Sequence, residues 1–216
     1  MFRKGTRYDR QTGIHRKIHG VGNRNEGMSQ ASRMRCQRFE ARRERSMKEV
    51  KFDHIFECGI DTYWDKVFFD EAFNHKLFHE LLQFSEWKDT VTKTTDEVIE
   101  RTVVVRPPVG DVPAAVRKVL GDNFGYQEHG RFDRKTKRYH VDVEPNVVKD
   151  KTHIHGDIWL ERIDDKRSRR LAVFSLEVKI MVVGKLIEDA IAKDMTRSFE
   201  RGATFTNEWI RDKGIV

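Results

Sequence analysis

The last apolar stretch of the chain carries charged and hydroxyl side chains at positions where a helix would otherwise be apolar. At about 100° of rotation per residue, Asp194, Ser198 and Arg201 project within or at the edge of the apolar arc of a helix that follows Gly184, and Glu188 lies near its other edge. A buried charge needs a partner or the head group of a ligand. Asp194, Ser198 and Arg201 are therefore candidate polar anchors for a bound molecule. The alternative is a solvated helix edge or a structural ion pair.

Histidine and aspartate side chains alternate along two neighbouring predicted strands, and this is a pattern that zinc sites use. The residues are His153, His155 and Asp157 on one strand and His140 and Asp142 on the preceding one. Imidazole and carboxylate groups both bind zinc. However, the set shares the strand face opposite the apolar residues, which predicts the solvated convex side of a sheet. We expect no metal site there.

No motif marks a nucleophile, a nucleotide-binding loop or a zinc protease. Cys36 and Cys58 match no metal-ligand spacing, and two cysteines in 216 residues favour free thiols in a reducing compartment. No run approaches the roughly 18 apolar residues of a membrane span, and residues 1–30 lack the apolar core of a secretory signal. We expect a cytoplasmic protein without a cofactor.

The positive net charge belongs to the N-terminal segment. Residues 1–47 hold 13 Lys/Arg and 4 Asp/Glu, whereas residues 48–216 hold 29 and 31. The segment has few apolar residues and no period, which predicts a disordered basic extension or a mis-assigned start, with Met28, Met34 and Met47 as other starts. A weak contact with anionic membrane surfaces is an alternative. Nucleic-acid binding is not expected, because no aromatic residues are interleaved for base stacking.

From Lys48 onward the chain reads as strands clustered between helices. The first predicted elements are a strand at 51–58, two helices capped by Asp61 and Asp70, and a hairpin at 87–106 that turns near Thr95-Asp96. A short helix at 112–121 follows. Two more hairpins come next, at 126–144 with a turn at 134–137 and at 152–183 with a turn at 164–169, and a long helix ends the order. This order predicts an α+β fold with a mostly antiparallel sheet of about seven strands.

The last strand and the long helix share an apolar side across a single glycine. The strand residues are Ala172, Phe174, Leu176, Val178 and Ile180, and the helical stripe is Val183, Ile187, Ile191, Met195, Phe199, Gly202, Phe205 and Trp209. The helix is expected to span about 25 residues, or roughly 38 Å. Because a helix that long and apolar on one side must cover an apolar surface, we expect it to lie across the inner face of the last strands.

This layout resembles the START-like superfamily, the helix-grip fold of the birch-pollen allergen type. Two motifs resemble more closely an uncharacterised bacterial branch of that superfamily, a domain of unknown function. "VPAAVRKVLG" (112–121) is similar to the branch's Pro-led helix between strands, and "VVGKLIEDAIAKDM" (182–195) to its strand-to-helix junction. The branch is expected to have a proline before the junction glycine, where this chain has Val182-Val183. The resemblance covers residues 48–216, as one domain.

The resemblance implies a curved sheet closed by the helix around a tunnel for a lipid, sterol, polyketide or similar hydrophobic molecule. The candidate lining residues are Ile158, Leu160, Phe174, Leu176, Val178, Ile180, Ile187, Ile191, Met195 and Phe199. The alternative is that these side chains only pack a core. A cyclase or aromatase of this superfamily is the second functional candidate, and it would need a general acid or base in the tunnel. Glu128, His129, Tyr139 and Asp194 have suitable side chains.

Overall fold

The structure is a computed structural model, and it describes residues 47–110 and 112–215. The predictions made for residues 1–46, including the basic extension and its membrane contact, lie outside the described residues.

Seven strands and four helices follow one another in the predicted order. They are β1 (Lys48–Phe56), α1 (Ile60–Tyr63, continued by a π-helical segment Trp64–Phe68), α2 (Glu71–His75, continued by a π-helical segment Lys76–Leu81), β2 (Glu86–Thr94), β3 (Val98–Arg106), α3 (Ala114–Leu120), β4 (Tyr126–Asp133), β5 (Arg138–Pro145), a short 3-10 helix (Lys149–Lys151), β6 (Thr152–Arg162), β7 (Ser168–Val178) and α4 (Gly184–Asp212). The α+β helix-grip prediction is confirmed.

All seven strands form one antiparallel sheet in the order β1-β7-β6-β5-β4-β3-β2. Along β7, every second residue from Ser168 to Val178 is buried, so one face of the sheet points inward. Among the strands, α4 lies closest to β1 and β7, at one side of that inner face. The segment after α1 covers part of the inner face of β4 and β5, where Trp64 packs on Phe132 and Phe68 packs on Tyr139.

Two glycines in the middle of the inner face make room for aromatic rings. A Cβ atom on Gly130 would lie 1.6 Å from the hydroxyl oxygen of Tyr139, and one on Gly156 would lie 2.3 Å from the ring of Phe174. Both distances are far below van der Waals contact, so the rings occupy the space that side chains would take at these positions. The rings of Tyr139 and Phe174 thus lie flat on the sheet.

The two helices after β1 cover the sheet with aromatic side chains. Asp70 caps α2 as predicted, because its side chain accepts a hydrogen bond of 2.7 Å from the backbone N–H of Phe73. Asp61 is not a cap: Gly59 precedes α1, and Asp61 lies in the first turn. The ring of Trp64 packs on Phe132, with ring centres 4.5 Å apart. These contacts close the inner face beside α4.

The junction between β7 and α4 differs in detail from the prediction. β7 ends at Val178, so Ile180 lies in the turn rather than in the strand. The buried carboxylate of Glu188 explains this end, because it accepts a hydrogen bond of 2.8 Å from the backbone N–H of Val178 and ties the helix to the strand. Val182 has a left-handed backbone with φ of 68° and an exposed side chain. The helix itself has 29 residues, longer than expected.

Candidate functional site

The ten apolar residues predicted to line a tunnel divide into two groups. Ile158, Leu160, Phe174, Leu176, Val178 and Ile187 are buried, whereas Ile180, Ile191, Met195 and Phe199 keep part of their surface accessible. The buried six belong to hydrophobic clusters that join the sheet to the helices. They stabilise the fold by removing apolar surface from water, and their role as lining residues stays a prediction.

Phe199 is a packing residue despite its partial exposure. Its ring stacks on Phe52, with ring centres 4.0 Å apart, and its centre lies 5.5 Å from that of Phe174. The guanidinium of Arg170 covers it at 5.0 Å. Arg170 also contacts the imidazole of His54, with 3.1 Å between its Nη2 and Nδ1. We call this region, where the second half of α4 meets β1 and β7, the packed end.

The first half of α4 faces inward residues that are not fully covered. Tyr126 and Glu128 on β4, Val143 on β5 and Ile154 on β6 all point to the inner face and stay partly accessible, as do Ile191 and Met195 on α4. The paired positions Glu128–Val143 and Val143–Ile154 place three of these side chains side by side across three strands. We call the space bounded by these six residues the recess.

Two pockets of the described residues lie elsewhere. One has a volume of about 280 Å³ and lies between Ser85, Arg106 and Phe124. The other has a volume of about 320 Å³ and lies between Asp96, Arg131 and Lys135. Neither is bounded by α4. The recess is defined by the partial exposure of its six inward-facing residues.

Glu128 is the ionisable group at the floor of the recess. Burial raises the pKa of its carboxyl group, the Arg101 guanidinium opposes the rise, and the charge of Asp89 adds to it. Among the described residues its carboxylate has no hydrogen-bond partner. Burial also raises the pKa of the neighbouring Tyr126 phenol, with smaller contributions from the charges of Glu128 and Asp194. Glu128 thus lies deep in the protein while part of its surface remains accessible.

A buried arginine forms the wall next to Glu128. Arg101 is 6% exposed; its Nε donates a hydrogen bond of 2.9 Å to the Tyr139 hydroxyl and its Nη1 one of 2.7 Å to Asp89. The guanidinium lies over the ring of Phe68, 4.7 Å from its centre. Burial raises the pKa of Tyr139 to about 12, so its phenol stays protonated. The second carboxylate oxygen of Asp89 is buried and without a hydrogen-bond partner among the described residues.

The three predicted polar anchors do not converge on one point. Asp194 forms an ion pair with Arg197 on the next turn of α4. Arg201 donates a hydrogen bond of 2.7 Å to the backbone carbonyl of Leu81 at the end of the helical segment after α2, a structural role of the kind left open above. Ser198 is half-buried. Of the three, only Asp194 has a charge that acts on a group of the recess.

The histidine and aspartate set lies on the outer face of the sheet. His140 Nδ1 is 3.2 Å from a carboxylate oxygen of Asp157, and His153 is exposed. Within residues 47–110 and 112–215, no three His, Cys, Asp or Glu side chains are placed to hold a metal ion. His129 also points outward, where its Nδ1 lies 3.4 Å from the Thr102 hydroxyl. Of the four acid–base candidates named from the sequence, Glu128 and Tyr139 are the two that lie on the inner face of the sheet.

Sequence reasoning missed Arg101, Asp89 and Tyr126. The signal was present for Arg101, because it occupies the same strand face as Ile99, Val103 and Val105 and so interrupts an apolar alternation. Tyr126 and Glu128 likewise share the face of Phe132 on β4. Asp89 carried no such signal, since β2 is an edge strand and most of its residues are exposed.

No helix of residues 47–110 and 112–215 combines the length and the apolar character that crossing a membrane requires.

Burial raises the pKa of the Cys58 thiol to about 11, so this cysteine stays protonated in the core.

Solved structures share the fold at low sequence identity. The Zhui aromatase/cyclase from Streptomyces sp. R1128 is 10% identical with a TM-score of 0.50, and covers 79% of this chain and 99% of its own. Norcoclaurine synthase from Thalictrum flavum in complex with dopamine and hydroxybenzaldehyde is 12% identical with a TM-score of 0.52, and covers 75% of this chain and 87% of its own. At these identities the likeness concerns the fold.

A START superfamily protein from Mycobacterium smegmatis is 8% identical with a TM-score of 0.48, and covers 74% of this chain and 98% of its own. No curated protein matches the chain in sequence. One family model matches residues 51–210, from β1 to the last turn of α4, and this is most of the chain. The chain belongs to the family described as "Protein of unknown function (DUF2505)", and its described residues have the α+β helix-grip fold.

Proposed function

We propose that this protein binds a small hydrophobic molecule in the recess between the first half of α4 and strands β4 to β6. The observation that carries the proposal is the incomplete covering of Val143, Ile154, Ile191 and Met195, which face the interior and yet stay accessible. Apolar side chains around a concave surface with a few polar groups are typical of small-molecule sites. Met195 adds a flexible side chain that adapts to differently shaped ligands.

The shape of the recess limits the ligand. Because rings at the packed end and over Gly130 and Gly156 fill most of the interior, the free space suits a slim molecule such as an acyl chain or a small aromatic compound. The fold relatives named above include an aromatase/cyclase and a synthase with bound aromatic molecules, which is consistent with a hydrophobic cargo.

Filling the recess tests this proposal. In Ile191→Trp the larger side chain occupies the space between α4 and the sheet. Protein produced in cells and analysed by native mass spectrometry is expected to carry a small molecule in the wild type and to lose it in this variant. Binding of N-phenyl-1-naphthylamine, an uncharged dye that fluoresces in apolar surroundings, is expected to fall about tenfold or more.

The matched control is Lys193→Trp, which places the same side chain on the exposed face of α4. It should leave dye binding unchanged. If wild-type protein carries no ligand and does not bind the dye, or if both tryptophan variants bind it as the wild type does, the recess is not a binding site and the side chains around it only pack the core.

A second function is favoured by one observation. Glu128 is an ionisable group of the recess whose pKa is raised by burial, and it lies near the phenol of Tyr126. A positioned carboxyl group can act as a general acid or base. We infer as the alternative a cyclase-type or other acid–base reaction on a hydrophobic substrate. Glu128→Gln would then accumulate unreacted substrate, so the molecules that co-purify with the variant and with the wild type should differ in mass. Identical cargo masses would argue for binding alone.

A further inference from the structure

The charges around the recess are not balanced. Arg101 is the cation nearest to Glu128, and Asp89 compensates it directly through a hydrogen bond of 2.7 Å. On the helix side, Arg197 is paired with Asp194. The Glu128 carboxylate is left without a paired cation among the described residues. A carboxylate inside a protein is stabilised by an opposite charge or a hydrogen-bond donor.

The other polar atoms near Glu128 increase this imbalance. The charges of Asp89 and Arg101 act on Glu128 directly, and Tyr139 feels Glu128 in turn. Asp194 contributes a further negative charge at Tyr126. One carboxylate oxygen of Asp89 is buried with no hydrogen-bond donor to it among the described residues. The recess therefore combines apolar walls with a floor where acceptors outnumber free donors.

We propose that the ligand of the recess is an amphipathic amine, whose ammonium group is bound by the carboxylate of Glu128 and whose apolar part lies against Val143, Ile154, Ile191 and Met195. This inference rests on the proposed function and specifies its ligand class. An ammonium group supplies both the missing charge and the missing hydrogen-bond donors. A fatty acid is disfavoured, since its carboxylate would lie beside Glu128 and close to Asp89.

The affinity for an amine is expected to depend on pH, because binding is linked to the protonation of Glu128. Burial raises the pKa of the Glu128 carboxyl group, so this group takes up its proton at a higher pH than an exposed glutamate does, and the protonated form cannot pair with a cation. Binding an amine then requires release of that proton, and amine affinity should increase as the pH rises through the Glu128 pKa. An uncharged alcohol of the same chain length should bind with much less dependence on pH. Arg101 and Asp89 are the charged groups that act on this carboxyl group, and Tyr126 and Tyr139 are the phenols near it.

The test compares three ligands that differ only in their polar end: dodecylamine, dodecanol and dodecanoate, each below the concentration at which it forms micelles. Their ability to displace N-phenyl-1-naphthylamine is measured for the wild type, for Glu128→Gln, and for Glu144→Gln, which removes a carboxylate from the outer face of β5. For the wild type the amine is expected to bind roughly ten- to a hundredfold more tightly than the alcohol. Dodecanoate should bind most weakly.

In Glu128→Gln the preference for the amine over the alcohol should disappear together with its pH dependence, while dodecanol binds as before. Glu144→Gln should behave as the wild type. Equal affinity for all three ligands, or tightest binding of dodecanoate, would overturn the amine assignment and leave the hydrophobic site intact. If none of the three displaces the dye and the wild type carries no ligand, both the amine assignment and the proposed function are wrong.

Discussion

The two halves of α4 carry similar apolar stripes and meet different surroundings. In the second half, Phe199 stacks on Phe52 with ring centres 4.0 Å apart, and Trp209 is buried near Phe73. In the first half, Ile191 and Met195 face inward but keep accessible surface. β1 lies along both halves, since Lys48 pairs with Asp189 and the backbone carbonyl of Ile55 accepts a hydrogen bond from Asn207. The difference therefore lies in the aromatic partners of the second half.

This comparison separates stability from binding along a single helix. At the packed end each side chain has partners on several sides, so a substitution there is expected to lower the free energy of unfolding. At the recess one side of each residue is free of protein contacts, so a substitution there is expected to change ligand affinity more than stability. The following three predictions test that division.

The largest effect is expected for Phe52→Ala at the packed end. The ring of Phe52 is 4% exposed and contacts the rings of Phe199 and Phe174, so truncation leaves a cavity and should cost about 3–4 kcal/mol of unfolding free energy. Urea unfolding followed by tryptophan fluorescence measures it. Met195→Ala at the recess is the control, with an expected loss of about 1 kcal/mol. Equal losses in the two variants would contradict the division.

A smaller effect is expected for Gly156→Ala, which removes the space for the ring of Phe174. Because the new Cβ would lie 2.3 Å from that ring, the ring must shift, and the unfolding free energy should fall by about 2 kcal/mol. In Gly59→Ala the nearest atom to the new Cβ, the carbonyl oxygen of Asp165, is at an ordinary contact distance of 3.5 Å. If both variants unfold at the same urea concentration as the wild type, the close contact between Phe174 and the sheet is not rigid.

The smallest effect is expected for His54 at the packed end, which contributes to the pH dependence of the free energy of unfolding. Burial lowers the pKa of His54 from about 6.5, and the charge of Arg170 lowers it further. The unfolded chain therefore binds a proton as the pH falls below about 6.5 while the folded protein does not, so this group's contribution to stability is complete above that pH and is lost below it.

His54→Gln should accordingly weaken the decline in stability between about pH 7 and pH 5, as measured by thermal unfolding at several pH values. His129→Gln, on the outer face of the sheet, serves as the matched change and should leave the decline as it is in the wild type. An unchanged decline in His54→Gln would mean that this imidazole takes up its proton in the folded protein as readily as in the unfolded chain.

Much of the fold could be predicted from the sequence, because periodicity is a local property. The alternation from Ala172 to Val178 and the helical stripe from Ile187 to Trp209 specify the last strand and α4 without any knowledge of the rest. The Asp70 cap followed from its position before an apolar run. The end of β7 could not be found in this way, because the side chain of Glu188, ten residues later, accepts the hydrogen bond that terminates it.

The candidate site was harder to predict from the sequence than the fold, because it depends on where α4 lies across the sheet. The sequence cannot distinguish Ile187, which is buried against Val178 and Val116, from Ile191, which borders the recess, since both occupy the same stripe. Glu128 was one of four acid–base candidates until the structure separated it from the outward-facing His129. The cluster of Arg101, Asp89 and Tyr139 requires the pairing of strands distant in sequence.

The pairing of β1 with β7 also has a consequence for how the chain folds. Lys48 is paired with Leu176 and Phe56 with Ser168, so the first strand to leave the ribosome has no neighbour until nearly all of the domain has been synthesised. Long sequence separation of this kind slows folding, because the entropy of closing the loop is lost before the contacts form. Until β7 has been synthesised β1 is an unpaired strand with an apolar face, and its docking on β7 completes the sheet.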